Sequence, residues 1–355
     1  MSATWGKKIQ YTIFGESHGK AIGITIDGLP PGFAIDVAEV AREMSRRAPG
    51  NGPLATARSE KDEFTILSGF INGKTTGSPL CAIIENRDQK SKDYDMMAQK
   101  FRPGHADYSG YIKYNGFNDI RGGGHFSGRI TAPLVFAGAI AKQLLAQENI
   151  LIGSHIQRIG SISESPFDGV QIEPSLLKQL THQNFSVIDP LVGQQMQDSI
   201  LAAKSTGDSV GGIIETAVIN LPAGHGDPFF DSLESTLAHL LFSIPGLKGV
   251  EFGAGFAFAE MRGSIANDAM YSKNGTVQTT TNHNGGILGG ISNGMPIIFR
   301  AAMKPTPSIH LEQNTVDSNG DNTTLVVGGR HDPCIVPRAV PVVEAITAMA
   351  IWDML

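Results

Sequence analysis

The feature that most constrains this chain is a set of short glycine-rich segments that also carry histidine, arginine or serine. Of the 355 residues, 42 are Gly, yet no Gly-X-Y period runs through them, which excludes a collagen-like helix. Glycine takes backbone conformations that other residues avoid and lets the chain come close to a ligand. Loops of this composition between regular elements therefore point to a bound small molecule.

Five such glycine segments hold most of the polar side chains of interest, and they occupy residues 15–19, 102–107, 121–129, 282–308 and 328–334. The third directly precedes a helix predicted from Thr131, so its free N–H groups and the helix dipole suit an anion. It lacks the Gly-Lys-Ser/Thr ending of a nucleotide-binding Walker A loop. Taken alone, each segment is also compatible with an ordinary polar turn.

The glycine segments supply two kinds of chemically useful side chain. Arginine forks suit bidentate recognition of carboxylate or phosphate, and histidines suit proton transfer near neutral pH. The set comprises His18, His105, Arg102, Arg129, Lys304, Arg330 and Asp332. These residues indicate an enzyme for a small polyanionic substrate, with or without a phosphorylated cofactor, and they do not define the reaction.

Two short patterns suggest a metal site, and both are weak. His105 and Asp107 give only two potential ligands, too few for a zinc site. The pair His331-Asp332 could mark a metal phosphohydrolase, but the preceding glycines and Pro333 disfavour the helix on which those enzymes present it. We therefore predict no metal site and keep a metal phosphohydrolase as the weakest alternative.

Apolar segments rich in β-branched residues predict strands over residues 9–14, 21–26, 64–70, 80–84, 212–219 and 295–302. Helices are predicted from Asp36 to near Arg47, from Thr131 through Leu144, from Asp231 onward, and over residues 342–354. Asp36 with Glu39, and Asp231 with Glu234, have the spacing of a capping box. The elements do not alternate as β-α-β, so we predict an α+β fold with antiparallel sheets, in one domain over residues 1–355.

Charge and composition limit the cellular setting. The net charge of −6 gives no basic field for nucleic acid. Only Cys81 and Cys334 are present, which suits a reducing compartment. The first ten residues lack the apolar stretch of a signal peptide, and no run approaches the ~20 apolar residues that span a bilayer. We predict a cytoplasmic protein with no membrane partner.

The motifs, in their order along the chain, resemble the chorismate synthase family. The matching stretches are Phe14-Gly15-Glu16-Ser17-His18-Gly19, Ser45-Arg46-Arg47, residues 101–107, Arg121-Gly122-Gly123-Gly124, residues 248–253, residues 285–294, Lys304-Pro305-Thr306 and residues 329–333. Any one of them is a weak signal, but the ordered set covers nearly the whole chain and is highly specific.

The resemblance implies a fold with helices layered between antiparallel β-sheets, assembled as a homotetramer. The implied reaction is a 1,4-elimination of phosphate from 5-enolpyruvylshikimate-3-phosphate, giving chorismate in the shikimate pathway of aromatic amino acid biosynthesis. It requires reduced FMN but has no net redox change. The length leaves no room for a reductase domain, so reduction of FMN falls to a separate flavin reductase using a donor such as NADPH. The alternative is a flavin- or phosphate-binding protein without this activity.

The resemblance also implies roles for individual residues. His18 matches the acid near the departing phosphate, His105 the group that stabilises the charge of the reduced flavin, and Asp332 a residue of the proton relay at the flavin. The arginines that match those holding the substrate or the adjoining flavin are Arg47, Arg102, Arg129 and Arg330. The positions that match FMN contacts are His125, Phe126, Ser127, Pro245, Gly246, Gly289, Lys304, Pro305, Thr306, Pro307, Ser308 and Arg330.

The chain departs from the family pattern in three places. Ala48 and Pro53 stand where the family often has arginine, so one cationic contact is lost or moved, for example to Arg58. His125-Phe126 precedes Ser127 where the family commonly has Arg-Ser. Individual roles within the third glycine segment are therefore less closely defined than the overall function.

Overall fold

The computed structural model describes residues 3–50, 54, 61–87, 100–329 and 331–355. Among these residues, two five-stranded antiparallel sheets enclose a layer of helices. This arrangement confirms the predicted α+β class with helices between antiparallel sheets.

The first sheet is formed by the N-terminal quarter of the chain. Its strands, with a small hairpin that follows the fourth, are β1 (Thr4–Trp5), β2 (Gln10–Gly15), β3 (Ala21–Asp27), β4 (Phe64–Ser68), β5 (Phe70–Ile71), β6 (Lys74–Thr75) and β7 (Leu80–Glu85). The strand order is β1-β2-β3-β7-β4, and β5 pairs only with β6. Ile22, Ile24 and Ile26 project from one face of β3 and are buried, as the two-residue period of a strand requires.

The second sheet is formed by the middle of the chain. The remaining strands are β8 (Leu151–Ile159), β9 (Ile162–Ser163), β10 (Gly212–Ile219), β11 (Leu247–Phe252), β12 (Met270–Lys273), β13 (Thr276–Thr279), β14 (Ile287–Leu288), β15 (Ile291–Ser292), β16 (Ile297–Met303), β17 (Gln313–Val316) and β18 (Asn322–Leu325). The sheet has the order β11-β16-β10-β8-β9, and the other six strands form three separate hairpins.

The helices are α1 (Val37–Arg47), α2 (Asp107–Lys113), α3 (Thr131–Gln147), α4 (Pro174–His182), α5 (Pro190–Ser205), α6 (Leu233–Leu241), α7 (Gly263–Ala266) and α8 (Val336–Met354). The core lies where α3 and α8 pack against each other, with α3 on the first sheet and α8 on the second. Gly138 permits the close approach, because a Cβ there would lie 2.2 Å from the Cβ of Ala345.

One helical stretch, Gly128–Gln147, has the length and hydropathy of a membrane span. However, 78% of its most apolar window is buried inside the fold. Its apolar character is explained by its position between the first sheet and α8, where side chains on all sides of the helix are covered.

The predicted helix caps are right in one case and wrong in another. Asp36 caps α1 and accepts hydrogen bonds from the backbone nitrogens of Ala38 and Glu39, both at 3.0 Å. Glu39 does not close a capping box; its side chain binds Arg42 instead. At α6 the cap is Ser232 rather than Asp231: the Ser232 Oγ accepts from the backbone nitrogen of Ser235 at 3.1 Å, and the Asp231 carboxylate pairs instead with Lys7 at 2.7 Å.

The last helix begins at Val336, six residues before the predicted start at 342. The predicted start was wrong, because the helix contains Pro341 in its interior. Proline removes one backbone hydrogen bond from a helix interior. Here the burial of Val336 and Val340 against the core offsets that loss, so the helix continues through Pro341.

Candidate active site

A cleft of about 1110 Å³ opens where several elements end. α3 begins on one side of it, α6 and β16 end on another, and α8 begins at its floor. Small-molecule sites commonly enclose roughly 300–1,000 Å³, so this cleft has room for a large ligand or for two ligands together.

Most of the site residues predicted from the sequence lie around this cleft. The lining includes Arg47, Arg102, His105, His125, Phe126, Ser127, Arg129, Pro245, Gly246, Lys304, Pro305, Thr306, Pro307, Ser308 and Asp332. His18 is buried directly behind Gly122, which lines the cleft. Gly289 lies in the turn between β14 and β15 and is not among the described residues of the lining. Arg330 lies outside the described residues, as do Pro53 and Arg58.

His18 follows β2 and is only 4% exposed. The Ser17 Oγ lies 3.2 Å from His18 Nδ1 and donates its own proton to the carbonyl oxygen of Arg121, also at 3.2 Å. Because a hydroxyl has one proton to donate, the Ser17 Oγ that donates to this carbonyl accepts from His18, which places a proton on His18 Nδ1. Sequence analysis identified His18 but not the hydroxyl that orients it.

The position of the His18 imidazole requires glycine at residue 122. Its φ is +62°, and a Cβ there would lie 2.0 Å from His18 Cε1 and 2.2 Å from His18 Nδ1. An L side chain at this position is therefore strained by its backbone conformation and also collides with the ring.

We expect Gly122→Ala to displace His18 and to lower kcat roughly 10-fold to 100-fold, because small displacements of catalytic groups are costly. The matched control is Gly73→Ala in the β5–β6 turn, where φ is +78° but no atom lies within 4 Å of the added Cβ. Steady-state kinetics on both variants measures the effect of the collision apart from that of backbone strain. Equal kcat values for the two variants would contradict this role of Gly122.

His105 belongs to a compact hydrogen-bonded group at the start of α2. Its Nδ1 lies 2.6 Å from Asp107 Oδ1. Arg102 binds the same carboxylate with both ends of its fork, from Nε to Oδ2 at 2.7 Å and from Nη2 to Oδ1 at 2.8 Å. Burial by itself would raise the pKa of Asp107, but the hydrogen bonds from Arg102 and His105 outweigh it and hold that pKa well below its usual range.

Arg47 and Arg129 share a buried carboxylate that sequence analysis did not identify. Arg47 Nε donates to Asp62 Oδ2 at 2.7 Å, and Arg129 Nη1 donates to Asp62 Oδ1. Burial lowers the pKa of Arg47 to about 10; Asp62 opposes this shift, and the nearby Arg338 and Arg129 add to it. Arg47 therefore keeps its charge at neutral pH.

The floor of the cleft is organised by Arg338, in the first turn of α8. Its Nη1 donates to Asp332 Oδ2, and its Nε donates to the carbonyl oxygen of Arg47 at 2.9 Å. This residue links the fifth glycine segment to the end of α1. It was missed because the sequence prediction began the helix after Pro341.

The third glycine segment is tied to the first. His125 is exposed, and its Nδ1 donates to the carbonyl oxygen of Gly15 at 2.9 Å. Phe126 packs against Tyr114 with ring centroids 6.2 Å apart. The Ser127 Oγ accepts from the backbone nitrogen of Arg129 at 3.3 Å, which caps the turn that leads into α3.

The rim formed by residues 304–308 presents a cation and hydroxyl groups. Lys304 Nζ donates to the carbonyl oxygen of Gly104, and burial together with the nearby Lys248 lowers the pKa of Lys304. Lys248 also lines the cleft and was not predicted. Thr306 Oγ1 is buried and makes no hydrogen bond within the described part of the chain. Such a hydroxyl beside a lysine suits the phosphate of a bound ligand, so the residues present fit a phosphorylated cofactor.

The layered fold and a cleft lined by arginines and imidazoles define an enzyme class that acts on small anionic molecules. The chain belongs to the chorismate synthase family, because the family model described as "Chorismate synthase" matches residues 9–355. This finding confirms the family predicted from the ordered motifs.

Individual relatives agree with this membership over almost the full chain. A protein named "Chorismate synthase" from Thermococcus kodakarensis is 48% identical over 351 residues, covering 99% of this chain and 96% of the relative. A protein of the same name from Dehalococcoides mccartyi is 46% identical over 355 residues, covering 100% and 96%. A solved structure titled "Crystal Structure of Chorismate Synthase" is 29% identical with a TM-score of 0.77, covering 99% of this chain and 92% of that one.

Proposed function

We propose that this protein is a carbon–oxygen lyase that eliminates phosphate from 5-enolpyruvylshikimate-3-phosphate to give chorismate, using reduced FMN without net redox change. The observation that carries the proposal is the convergence of Arg47, Arg102, Arg129 and His105 on one cleft in a chain of this family. The substrate has carboxylates and a phosphate, and guanidinium forks are suited to both groups.

In the proposed reaction the arginines orient the substrate and balance its charge. Arg102 is held by Asp107, and Arg47 and Arg129 are held by Asp62, so none of the three needs to be ordered when the substrate binds. Preorganised charge of this kind stabilises a transition state without further rearrangement. In this proposal Arg330 contributes a fourth charge.

Two imidazoles and one carboxylate move or hold protons. His18, oriented by Ser17, is the acid that protonates the departing phosphate from Nε2. His105, with one proton held on Nδ1 by Asp107, would take a second proton at Nε2, and the resulting imidazolium would balance the negative charge of reduced FMN. Asp332, held by Arg338, takes part in the proton relay.

The FMN site comprises the third glycine segment, Pro245-Gly246 and residues 304–308. Lys304, Thr306 and Ser308 would hold the phosphate, and the prolines and glycines would lie against the ring system. The chemistry that reduced FMN would supply at this site is transient electron density for the allylic system of the substrate. The position of Gly289 outside the described lining leaves its proposed contact with FMN without support from the cleft.

The alternative, a flavin- or phosphate-binding protein without this activity, is not favoured, because the family match and the named relatives extend over nearly the full chain. We further propose that residues 1–355 act as one domain, that the enzyme is a cytoplasmic homotetramer, and that a separate reductase using NADPH or a similar donor supplies reduced FMN.

We expect chorismate to form only when FMN is reduced. The test is an anaerobic assay in which the protein receives the substrate with reduced FMN, with oxidised FMN, or with no flavin. Only the first mixture should release chorismate and phosphate. Turnover with oxidised FMN in the absence of any reductant would overturn the proposal.

A further inference from the structure

We propose that Asp107 is a positioning residue that fixes a proton on His105 Nδ1 and so makes Nε2 the nitrogen that works in the cleft. The assignment of the tautomer rests on the hydrogen bonds of the protein alone. Its consequence for the reaction rests on the proposed function.

The four donors around the Asp107 carboxylate determine the direction of each hydrogen bond. Oδ2 accepts from the backbone nitrogen of Arg102 at 3.0 Å and from its Nε at 2.7 Å. Oδ1 accepts from Arg102 Nη2 at 2.8 Å and lies 2.6 Å from His105 Nδ1. An ionised carboxylate only accepts, so Nδ1 must carry the proton.

A second contact competes with Asp107 for the same ring nitrogen. Arg102 Nη2 lies 3.2 Å from His105 Nδ1. A guanidinium only donates, and Nδ1 already donates to Asp107, so the 3.2 Å contact brings two donors together. The shared oxygen Oδ1 holds both donors in place. Without the carboxylate, Nδ1 would be free to lose its proton and to accept from Arg102 instead.

The other ring nitrogen is left accessible by a glycine. A Cβ at Gly123 would lie 3.2 Å from His105 Nε2, and the φ of Gly123 is +97°. His105 is among the residues that line the cleft, and Gly123 is buried beside its ring. Nε2 is therefore the nitrogen through which His105 meets a bound ligand, and Asp107 decides that it is Nε2 rather than Nδ1.

The test is Asp107→Asn, which changes the donors and acceptors but hardly changes the shape. The amide oxygen should take the place of Oδ2, where it meets two donors from Arg102, and the amide nitrogen then faces His105 Nδ1. An NH₂ group donates, so Nδ1 must become the acceptor and the proton must move to Nε2. We expect the tautomer of His105 to be reversed in this variant.

Nitrogen NMR on protein labelled with ¹⁵N-histidine, without flavin, reports the tautomer directly. The His105 signals are assigned as those missing in His105→Ala. Wild type should carry the neutral proton on Nδ1, and Asp107→Asn should carry it on Nε2. The matched control is Asp119→Asn, because Asp119 chelates Arg121 in the same manner, through the backbone nitrogen, Nε and Nη2 at 3.0, 2.9 and 2.7 Å. That control should leave the His105 spectrum unchanged.

Kinetic measurements on single and double variants test whether Asp107 acts through His105. At saturating substrate, which offsets weaker binding through Arg102, Asp107→Asn should lower kcat about 10-fold to 100-fold, as the loss of a positioning partner typically does. In a His105→Ala background the same change should cause no further fall. A full additional fall in that background would overturn the proposal.

The spectrum of the wild-type protein tests the position of the His105 proton even if Asp107→Asn does not fold. A wild-type His105 with its neutral proton on Nε2 overturns the assignment at once. Failure of the proposed function is a separate outcome, because it appears as the absence of chorismate formation by wild type, whatever the tautomer.

Discussion

His18→Ala and His105→Ala are each expected to lower kcat by about 10²–10⁴-fold, the usual contribution of a positioned proton donor or acceptor. Both imidazoles are held at Nδ1 by a neighbouring side chain, Ser17 for His18 and Asp107 for His105. The arginines proposed to bind the substrate remain in either variant, so the affinity for the substrate should change much less than kcat.

The matched control is His182→Ala. His182 lies at the end of α4, where it is exposed and its Nδ1 donates to the carbonyl oxygen of Lys178 at 2.7 Å, and it is not among the described residues that line the cleft. Steady-state kinetics under anaerobic conditions with reduced FMN gives kcat and KM for all three variants. If either active-site variant retains the rate of His182→Ala, that histidine has no catalytic role and is an ordinary buried side chain.

Asp62→Ala is expected to destabilise the fold by about 3–5 kcal/mol, the range found when one member of a buried ion pair is removed. The Asp62 carboxylate is fully buried and serves two guanidinium groups, those of Arg47 and Arg129. Its loss leaves two buried charges next to each other without their shared partner. A buried charge without a partner is far more costly than a missing surface contact.

Asp119→Ala is the control for this prediction. The Asp119 and Arg121 side chains are 20% and 49% exposed, so their pair should contribute only about 0–1 kcal/mol. Urea unfolding at a fixed protein concentration measures both variants against wild type. Equal free energies of unfolding for the two variants would show that Asp62 is not the structural anchor of the arginine cluster.

The parts of the fold that could be predicted are those with a strong local pattern. The strand over residues 212–219 was predicted with its observed bounds, because a short segment rich in β-branched residues favours a strand. The Asp36 cap was also confirmed. In contrast α5 was not predicted, although Asp189 caps it and Pro190 stands at its first position, a combination that signals a helix start.

The residues of the candidate site fall into the same two groups, those with a strong local sequence pattern and those without one. Glycine-bounded histidines and arginines form local motifs, so His18, His105 and Arg102 could be identified and the family could be recognised. Asp62 and Arg338 have no such motif, because their role depends on which distant segments the fold brings next to them. A single carboxylate between Lys61 and Glu63 looks like part of a charged surface until the fold buries it against two arginines.

The most direct test of the central claim is to count products per flavin. Under anaerobic conditions, a small amount of reduced FMN is mixed with the protein and an excess of 5-enolpyruvylshikimate-3-phosphate, and the flavin absorbance is followed while phosphate and chorismate are measured. We predict equal amounts of the two products, many of each per flavin, and a flavin that is still reduced at the end. Oxidation of one flavin for each product formed, or phosphate release without chorismate, would contradict the assignment of this chain as a catalyst of the redox-neutral elimination.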